Sequence, residues 1–300
     1  MNERQKRELI RLLNKNVHFN CPMAPYTTFR AGGKVEALCE VRNLLHLKTL
    51  LGLARREDIP YLVVGKGSNL LVKDGGLQGM ALLLKGDLED IEEKGGRLLA
   101  GAGLGLAELL KFCSRNGLSG LEFLAGIPGT VGGAVAMNAG AWGKSTGEAV
   151  TAVEIMTAEG EGKTLDRSLL RFEYRKTALP IGCVVVRAHF QVTEDRPQAI
   201  RKRIREYLER RKASQPLDDP SAGSVFRNPP HDYAGRLIEA VGLKGKRIGG
   251  AMISEKHANV IVNVGGARAQ DILDLMETAR QRVRERTGVD LEPEIRVVGD

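Results

Sequence analysis

The stretch "FLAGIPGTVGGAVAMNAGAWG", residues 123–143, constrains this chain more than any other. Gly126, Gly129, Gly132, Gly133 and Gly140 alternate there with small residues, and Pro128 stiffens the turn. Backbone stripped of side chains over that length is suited to wrapping an extended ligand and offering N–H groups to phosphates. Tight packing against other backbone is the competing explanation. A second segment, "VVGKGSNLLV" (63–72), sets Gly65 and Gly67 on either side of Lys66 and continues into Ser68, Asn69 and Leu70. Its converging N–H groups suit a pyrophosphate, but a plain hairpin turn would look the same. It is not a Walker loop, because no GK[ST] follows. It is not a GxGxxG fingerprint either, because position 70 is Leu.

The rest of the composition narrows the class. With 300 residues and 42% hydrophobic content the chain can bury more than one core. No run of about 18 apolar residues is present, so no membrane span is expected. The start, "MNERQKRELIRLLNKN", reads as a charged amphipathic helix and not as a signal peptide. Cys21, Cys39, Cys113 and Cys183 are scattered without a CxxC. That spacing argues against a zinc site or any other metal, and for reduced thiols in a cytoplasmic protein. The net charge of +8 is concentrated in "IRKRIREYLERRK" (200–212) and "ARQRVRERTG" (279–288). Both read as helices with one apolar side, made of Ile200, Ile204, Tyr207 and Leu208 in the first and Leu275, Met276, Ala279 and Val283 in the second. Aromatics are only 4% and no nucleic-acid motif accompanies the charge. A solvated basic face, or a field that attracts an anionic small molecule, accounts for it without nucleic acid.

Periodicity predicts a strand at about 35–41, a helix capped by Asn43 and running to about Arg56, and a buried strand between Pro60 and Gly65. Residues 80–193 read as short strands with one helix, Leu106–Asn116. After the basic helix come the Pro-flanked "PSAGSVFRNPP" (220–230), a helix near 233–241, the strand "NVIVNV", a long helix from Ala269 and a last strand in "EPEIRVVG". The class is α+β, with boundaries expected near 79 and 196.

Together the two glycine segments resemble the flavin-binding module of the vanillyl-alcohol-oxidase (PCMH-type) superfamily. The pairing of "GKGSNLLV" with "GIPGTVGGAVAMNAGAWG" is more specific and is similar to the MurB family of enolpyruvoylglucosamine reductases. The resemblance continues in order through "YTTFRAGG" (26–33), "FEYRKT" (172–177), "SAGSVFRNP" (221–229), "ISEKHANVIVN" (253–263) and "LEPEIRVVG" (291–299). It implies an FAD module in two subdomains, 1–79 and 80–195, followed by an α+β substrate-binding domain, 196–300.

The resemblance also implies a reaction. NADPH reduces a non-covalent FAD, which then reduces UDP-N-acetylglucosamine enolpyruvate to UDP-N-acetylmuramate for peptidoglycan synthesis. Hydride goes to C3 of the enol ether, and the enolate-like charge at C2 is stabilised and protonated. Ser224 matches the family's proton donor, and Arg175 and Glu294 match its other catalytic positions. Flavin contacts carried over by motif are Thr28, Arg30, Gly65, Lys66, Gly67, Ser68, Asn69, Leu70, Gly126, Pro128, Gly129, Thr130, Gly132, Gly133, Ala134, Asn138 and Gly140. Substrate contacts are Tyr174, Lys212, Asn228 and His257, with a buried structural role the alternative for His257 and its neighbour Asn259. The longer form of the family inserts a tyrosine-bearing loop. Only 48 residues separate Arg175 from Ser224, so this chain resembles the shorter form; a cytoplasmic monomer is a separate expectation. The alternative is another non-covalent FAD oxidoreductase of the PCMH superfamily. A serine hydrolase is excluded for Ser224, because "AGSVF" is not GxSxG and no histidine stands in a triad-like context.

Overall fold

The computed structural model describes residues Met1–Asp300. Two compact units are present. The first comprises Met1–Phe19, Glu36–Gly65 and Gly79–Glu209, and the second Asn20–Val35, Lys66–Gln78 and Arg210–Asp300. A division at 79 and 196 follows the order of the sequence, whereas these units are interleaved. The cause is pairing between distant segments. In the second unit Leu70–Val72 runs parallel to Arg296–Val298, and the Asn263 amide donates to Phe29 O at 2.9 Å.

In the first unit a five-stranded antiparallel sheet runs in the order Gly162–Asp166, Val150–Met156, Val184–Gln191, Arg97–Gly101, Ile91–Lys94. Its inward positions, among them Val153, Ile155, Val184, Ala188 and Phe190, belong to one apolar cluster with helices Leu44–Arg56 and Leu106–Asn116. The first of these helices forms where its cap predicts. Asn43 Oδ1 accepts from His46 N at 2.8 Å, and Leu47, Leu50, Leu51 and Ala54 bury one face. Asn43→Ala should lower stability by about 1 kcal/mol. The check is a shifted urea midpoint with an unchanged slope.

The strand expected between Pro60 and Gly65 is present as Tyr61–Val63, but it is not buried. Tyr61 and Leu62 are half-covered and Val63 is exposed, because this is an edge strand paired only with Leu77–Leu84. The basic helix spans Pro197–Ser214. Ile200 is buried and Ile204 and Tyr207 pack partly against the core, but Leu208, expected on the same side, is 40% exposed.

The charge on that helix is not all solvated. Arg203 donates to Glu122 Oε1 at 2.8 Å, to Asp195 Oδ2 at 2.6 Å and to Ser119 Oγ at 3.0 Å. Burial pushes the Glu122 carboxyl up, but hydrogen bonds from backbone N–H groups, Arg203 and Ser119 outweigh it and hold the group below the usual range. A carboxyl depressed in the folded state contributes stability above its unfolded pKa and loses it as pH falls through the folded one. Acidification below the ordinary glutamate range should therefore lower the urea midpoint. Glu122→Gln, less stable at neutral pH, should lose that part of the pH dependence.

The second unit has its own apolar cluster, centred on Phe29, Phe226, Ile253 and Ile261 and on the buried side of helix Ala269–Thr287. In this helix Leu275, Met276, Ala279 and Val283 are all buried, as the periodicity predicts. Its antiparallel sheet runs Ser221–Ser224, Val260–Asn263, Ala251–Ile253, Arg247–Ile248. The Asp74 carboxylate accepts from Ala269 N at 2.9 Å and Gln270 N at 3.0 Å, which satisfies two N–H groups at the start of the long helix. All four cysteines are free thiols. Cys39 and Cys113 are buried, and burial pushes their pKa up to about 12. No helix is long and apolar enough to cross a membrane.

Candidate active site

Ser224 ends a strand whose register is irregular in one place. Ser221 pairs with Val262 and Ser224 with Val260, so three steps on one strand face two on its partner. The extra residue is a bulge, with Gly223 at φ +68 immediately before Ser224. A β-bulge re-aims the side chain beside it, and a left-handed φ at this point favours glycine. The Ser224 hydroxyl is half-buried and makes no hydrogen bond within the protein.

The backbone after Ser224 is gripped from both sides. On one side Val225 N donates to Asn259 O at 2.9 Å. The Asn259 side chain then brackets Phe226, accepting from its N at 3.0 Å and donating to its O at 2.8 Å. On the other side Glu294 N donates to Val225 O at 2.8 Å and Arg227 N to Glu292 O at 2.9 Å. Ser224 and Glu294, seventy positions apart, are thus carried on adjacent hydrogen-bonded backbone. The second glycine segment is tied to the same strand. Asn69 Nδ2 donates to Glu294 O at 3.1 Å, and Arg296 N donates to Asn69 O at 2.9 Å. Leu70 is buried and pairs with Arg296.

Whether these residues suit a dinucleotide depends on their spare donors. The N–H groups of Lys66, Gly67 and Ser68 make no hydrogen bond within the protein, and Thr28 Oγ1 is buried with no partner. Thr28 N donates to Gly67 O at 3.4 Å, which places that hydroxyl beside the loop. Adjacent uncommitted N–H groups about a left-handed residue, here Gly67 at φ +62, form a concavity that suits an anion. The loop fits a diphosphate. Lys66 and Arg30 are exposed cations of the same segments.

In the first unit the long glycine stretch contains a short helix, Val131–Ala136, that the glycine count concealed. Thr130 caps it, accepting from Gly133 N at 3.4 Å. Several glycines there, and Gly65, are small because protein packs on them. A Cβ on Gly65 would lie 2.5 Å from Thr130 Oγ1, on Gly132 2.9 Å from Ala102 Cβ, and on Gly140 2.5 Å from Lys144 O. The Gly65 contact joins the start of the shorter glycine segment to the long one within the first unit. By contrast Gly126, Pro128 and Gly133 are exposed, Gly129 is partly so, and a Cβ on Gly133 would touch nothing closer than 3.5 Å. Ala134 is buried beneath them.

Arg175 occupies the tip of a hairpin, Arg171–Glu173 with Lys176–Ala178, that periodicity did not reveal. It takes a left-handed φ of +57, unusual for a long side chain. Its Nη1 donates to Gly140 O at 2.8 Å, and its Cζ lies 5.4 Å from the exposed Tyr174 ring. Asn138, a flavin contact by motif, is buried with both ends of its amide committed inside the protein. Nδ2 donates to Glu173 O at 2.9 Å and Oδ1 accepts from Gly147 N at 2.8 Å.

Of the substrate positions, Lys212 is exposed on the last turn of the basic helix. Asn228 is exposed, and its Oδ1 accepts from Ala234 N at 3.1 Å, at the start of helix Ala234–Ala240. The ring of His257 turns inward: Nδ1 accepts from Asn259 N at 3.2 Å, and burial lowers its pKa. Because Nδ1 accepts, Nε2 is the nitrogen that carries the ring proton. Arg227, absent from the expected set, is half-buried with Nε unpartnered. Its position between Ser224 and Asn228 was the available signal.

A model of the FAD binding domain matches residues 35–166, and one of the UDP-N-acetylenolpyruvoylglucosamine reductase C-terminal domain matches 215–298. The UDP-N-acetylenolpyruvoylglucosamine reductase of Moorella thermoacetica is 44% identical over 288 residues, covering 96% of this chain and 95% of its own. The chain belongs to the UDP-N-acetylenolpyruvoylglucosamine reductase family. The reductase of Myxococcus xanthus is 46% identical over 283 residues, 93% of this chain and 91% of its own. The crystal structure of the Thermus caldophilus reductase superposes with a TM-score of 0.82 at 41% identity, covering 94% of this chain and 98% of that one. The fold is α+β, with an FAD binding domain ahead of the C-terminal domain, and FAD is the family's cofactor.

Proposed function

We propose that the protein reduces UDP-N-acetylglucosamine enolpyruvate to UDP-N-acetylmuramate with NADPH, as a cytoplasmic, monomeric enzyme of peptidoglycan precursor synthesis. The near full-length kinship to named reductases supports the reaction. The observation that carries the site is the uncommitted Ser224 hydroxyl, set after a bulge on backbone hydrogen-bonded to the segment bearing Glu294. Residues 1–79 and 80–195 are proposed to hold the flavin, and 196–300 to receive the sugar nucleotide. Lys66, Gly67, Ser68 and Thr28 are the diphosphate contacts their spare donors support.

FAD, held at the diphosphate by Lys66, Gly67, Ser68 and Thr28, would supply the hydride-transfer chemistry between NADPH and C3 of the enolpyruvyl group. The chain's own residues handle charge and the proton. Arg175 is a permanent cation, suited to the substrate carboxylate and to the negative charge that develops beside it. Ser224 donates its proton to C2 and regains one from solvent. A serine hydroxyl is a weak acid, so this step depends on the carbanionic character of C2 and on neighbours that stabilise the alkoxide. Glu294, on the adjoining strand, polarises the same centre. Tyr174, Lys212 and Asn228 supply exposed polar groups for the sugar nucleotide.

The test is anaerobic. The flavoprotein is reduced with NADPH, and the enolpyruvyl sugar nucleotide is then added. Return of the oxidised flavin spectrum with formation of UDP-N-acetylmuramate is the expected result. A flavin that stays reduced would refute the assignment.

A further inference from the structure

The hairpin that presents Arg175 has one apolar anchor, Phe172, which packs against the first unit's core, and its tip has none. Arg171, Glu173, Tyr174, Lys176 and Ala178 are exposed, and Thr177 is its only buried residue. Three side-chain contacts tie it to the segment 135–147. The Thr177 hydroxyl donates to Val135 O, Arg175 Nη1 donates to Gly140 O, and Asn138 Nδ2 donates to Glu173 O. Asn138 differs from the other two because it is bound at both ends. Its Oδ1 accepts from Gly147 N at 2.8 Å, and Gly147 is where Phe172 of the hairpin packs, since a Cβ there would lie 2.4 Å from the ring. Asn138 also takes φ +41, a left-handed conformation that asparagine tolerates and most residues do not.

We propose that Asn138 is the positioning residue of Arg175. Its buried amide fixes the backbone two residues before the guanidinium and holds the hairpin tip in a single arrangement over the glycine stretch. Asparagine is needed because the site demands a donor toward Glu173 O, an acceptor from Gly147 N and a left-handed backbone at once. Aspartate supplies no donor, and glycine supplies neither group. The inference rests on the role given to Arg175 above.

The experiment uses the holoenzyme and measures each half-reaction by rapid mixing in Asn138→Gly, Asn138→Asp, Arg175→Ala and the double variant Asn138→Gly/Arg175→Ala. Glycine keeps the left-handed backbone, so the amide alone is removed. Misplacing a catalytic group by about 1 Å costs on the order of 100-fold. Asn138→Gly should therefore slow reoxidation by substrate about 10- to 100-fold while reduction by NADPH stays within about two-fold. In the Arg175→Ala background the same change should add less than about two-fold, because there is no guanidinium left to position. Equal slowing of both half-reactions, no effect on either, or a full multiplicative loss in the Arg175→Ala background would overturn the proposal. If Arg175→Ala itself reoxidises at the wild-type rate, the role of Arg175 is what fails, a result read independently of Asn138. Should Asn138→Gly not yield a folded flavoprotein, Asn138→Asp carries the test, because it keeps the acceptor for Gly147 N. If neither variant folds, Asn138 is a stability residue and the proposal is wrong.

Discussion

Ser224→Ala is expected to slow reoxidation of the reduced flavoprotein by the enolpyruvyl sugar nucleotide by about 10²- to 10⁴-fold, the usual range for losing a positioned general acid. Reduction of the flavin by NADPH involves no proton from this residue and should proceed at close to the wild-type rate. The structure makes the variant clean. The hydroxyl is half-buried and bonded to nothing in the protein, and the strand is held through backbone. Truncation should then change stability by no more than about 0.5 kcal/mol. Unfolding and both half-reactions, measured on one preparation, separate the role from damage. Similar losses in the two half-reactions would remove Ser224 from proton transfer.

Asn259→Ala should be the most destabilising polar substitution in the second unit. Asn259 Oδ1 and Nδ2 are the partners of Phe226 N and O, and Phe226 is 1% exposed. Removing the amide strands a donor and an acceptor in an apolar setting, each costing about 1–3 kcal/mol. A loss of roughly 2–6 kcal/mol in urea unfolding is expected. The same segment carries Ser224, so reoxidation by substrate should suffer more than reduction by NADPH. Asn259→Asp, which keeps the acceptor for Phe226 N, should fall between the two. A variant as stable as wild type would mean that Phe226 finds other partners.

Much of this was legible in the sequence, and the gaps have physical causes. Helix Leu44–Arg56 starts where Asn43 offers a cap, and helix Ala269–Thr287 buries the residues its period selects, because both follow from local chemistry. The motif run through 26–33, 221–229 and 291–299 picked out the segments proposed to form the site, yet composition could not say what each residue does there. Glycine has more than one use. Gly65, Gly132 and Gly140 are small because Thr130, Ala102 and Lys144 press on them, and nothing in the sequence tells such a glycine from one facing a ligand. Asparagine is similarly ambiguous. Asn138 and Asn259 hold the backbone beside Arg175 and Ser224, through partners 35 and 33 positions away. The Arg175 hairpin escaped notice because its strands have only three residues each, too few to show a period of two.

The parallel pairing of Leu70–Val72 with Arg296–Val298 reaches from the first quarter of the chain to its last residues. The segment holding Thr28 and Lys66–Ser68 therefore cannot take its final form until Arg296–Val298 has been made. The strand that completes it is made 226 positions later, counting from Leu70 to Arg296. Flavin capture at this loop, where the diphosphate is proposed to bind, waits for that strand. Deleting residues 296–300 should yield apoprotein even where the first unit has folded, read as a loss of the flavin spectrum from the purified protein.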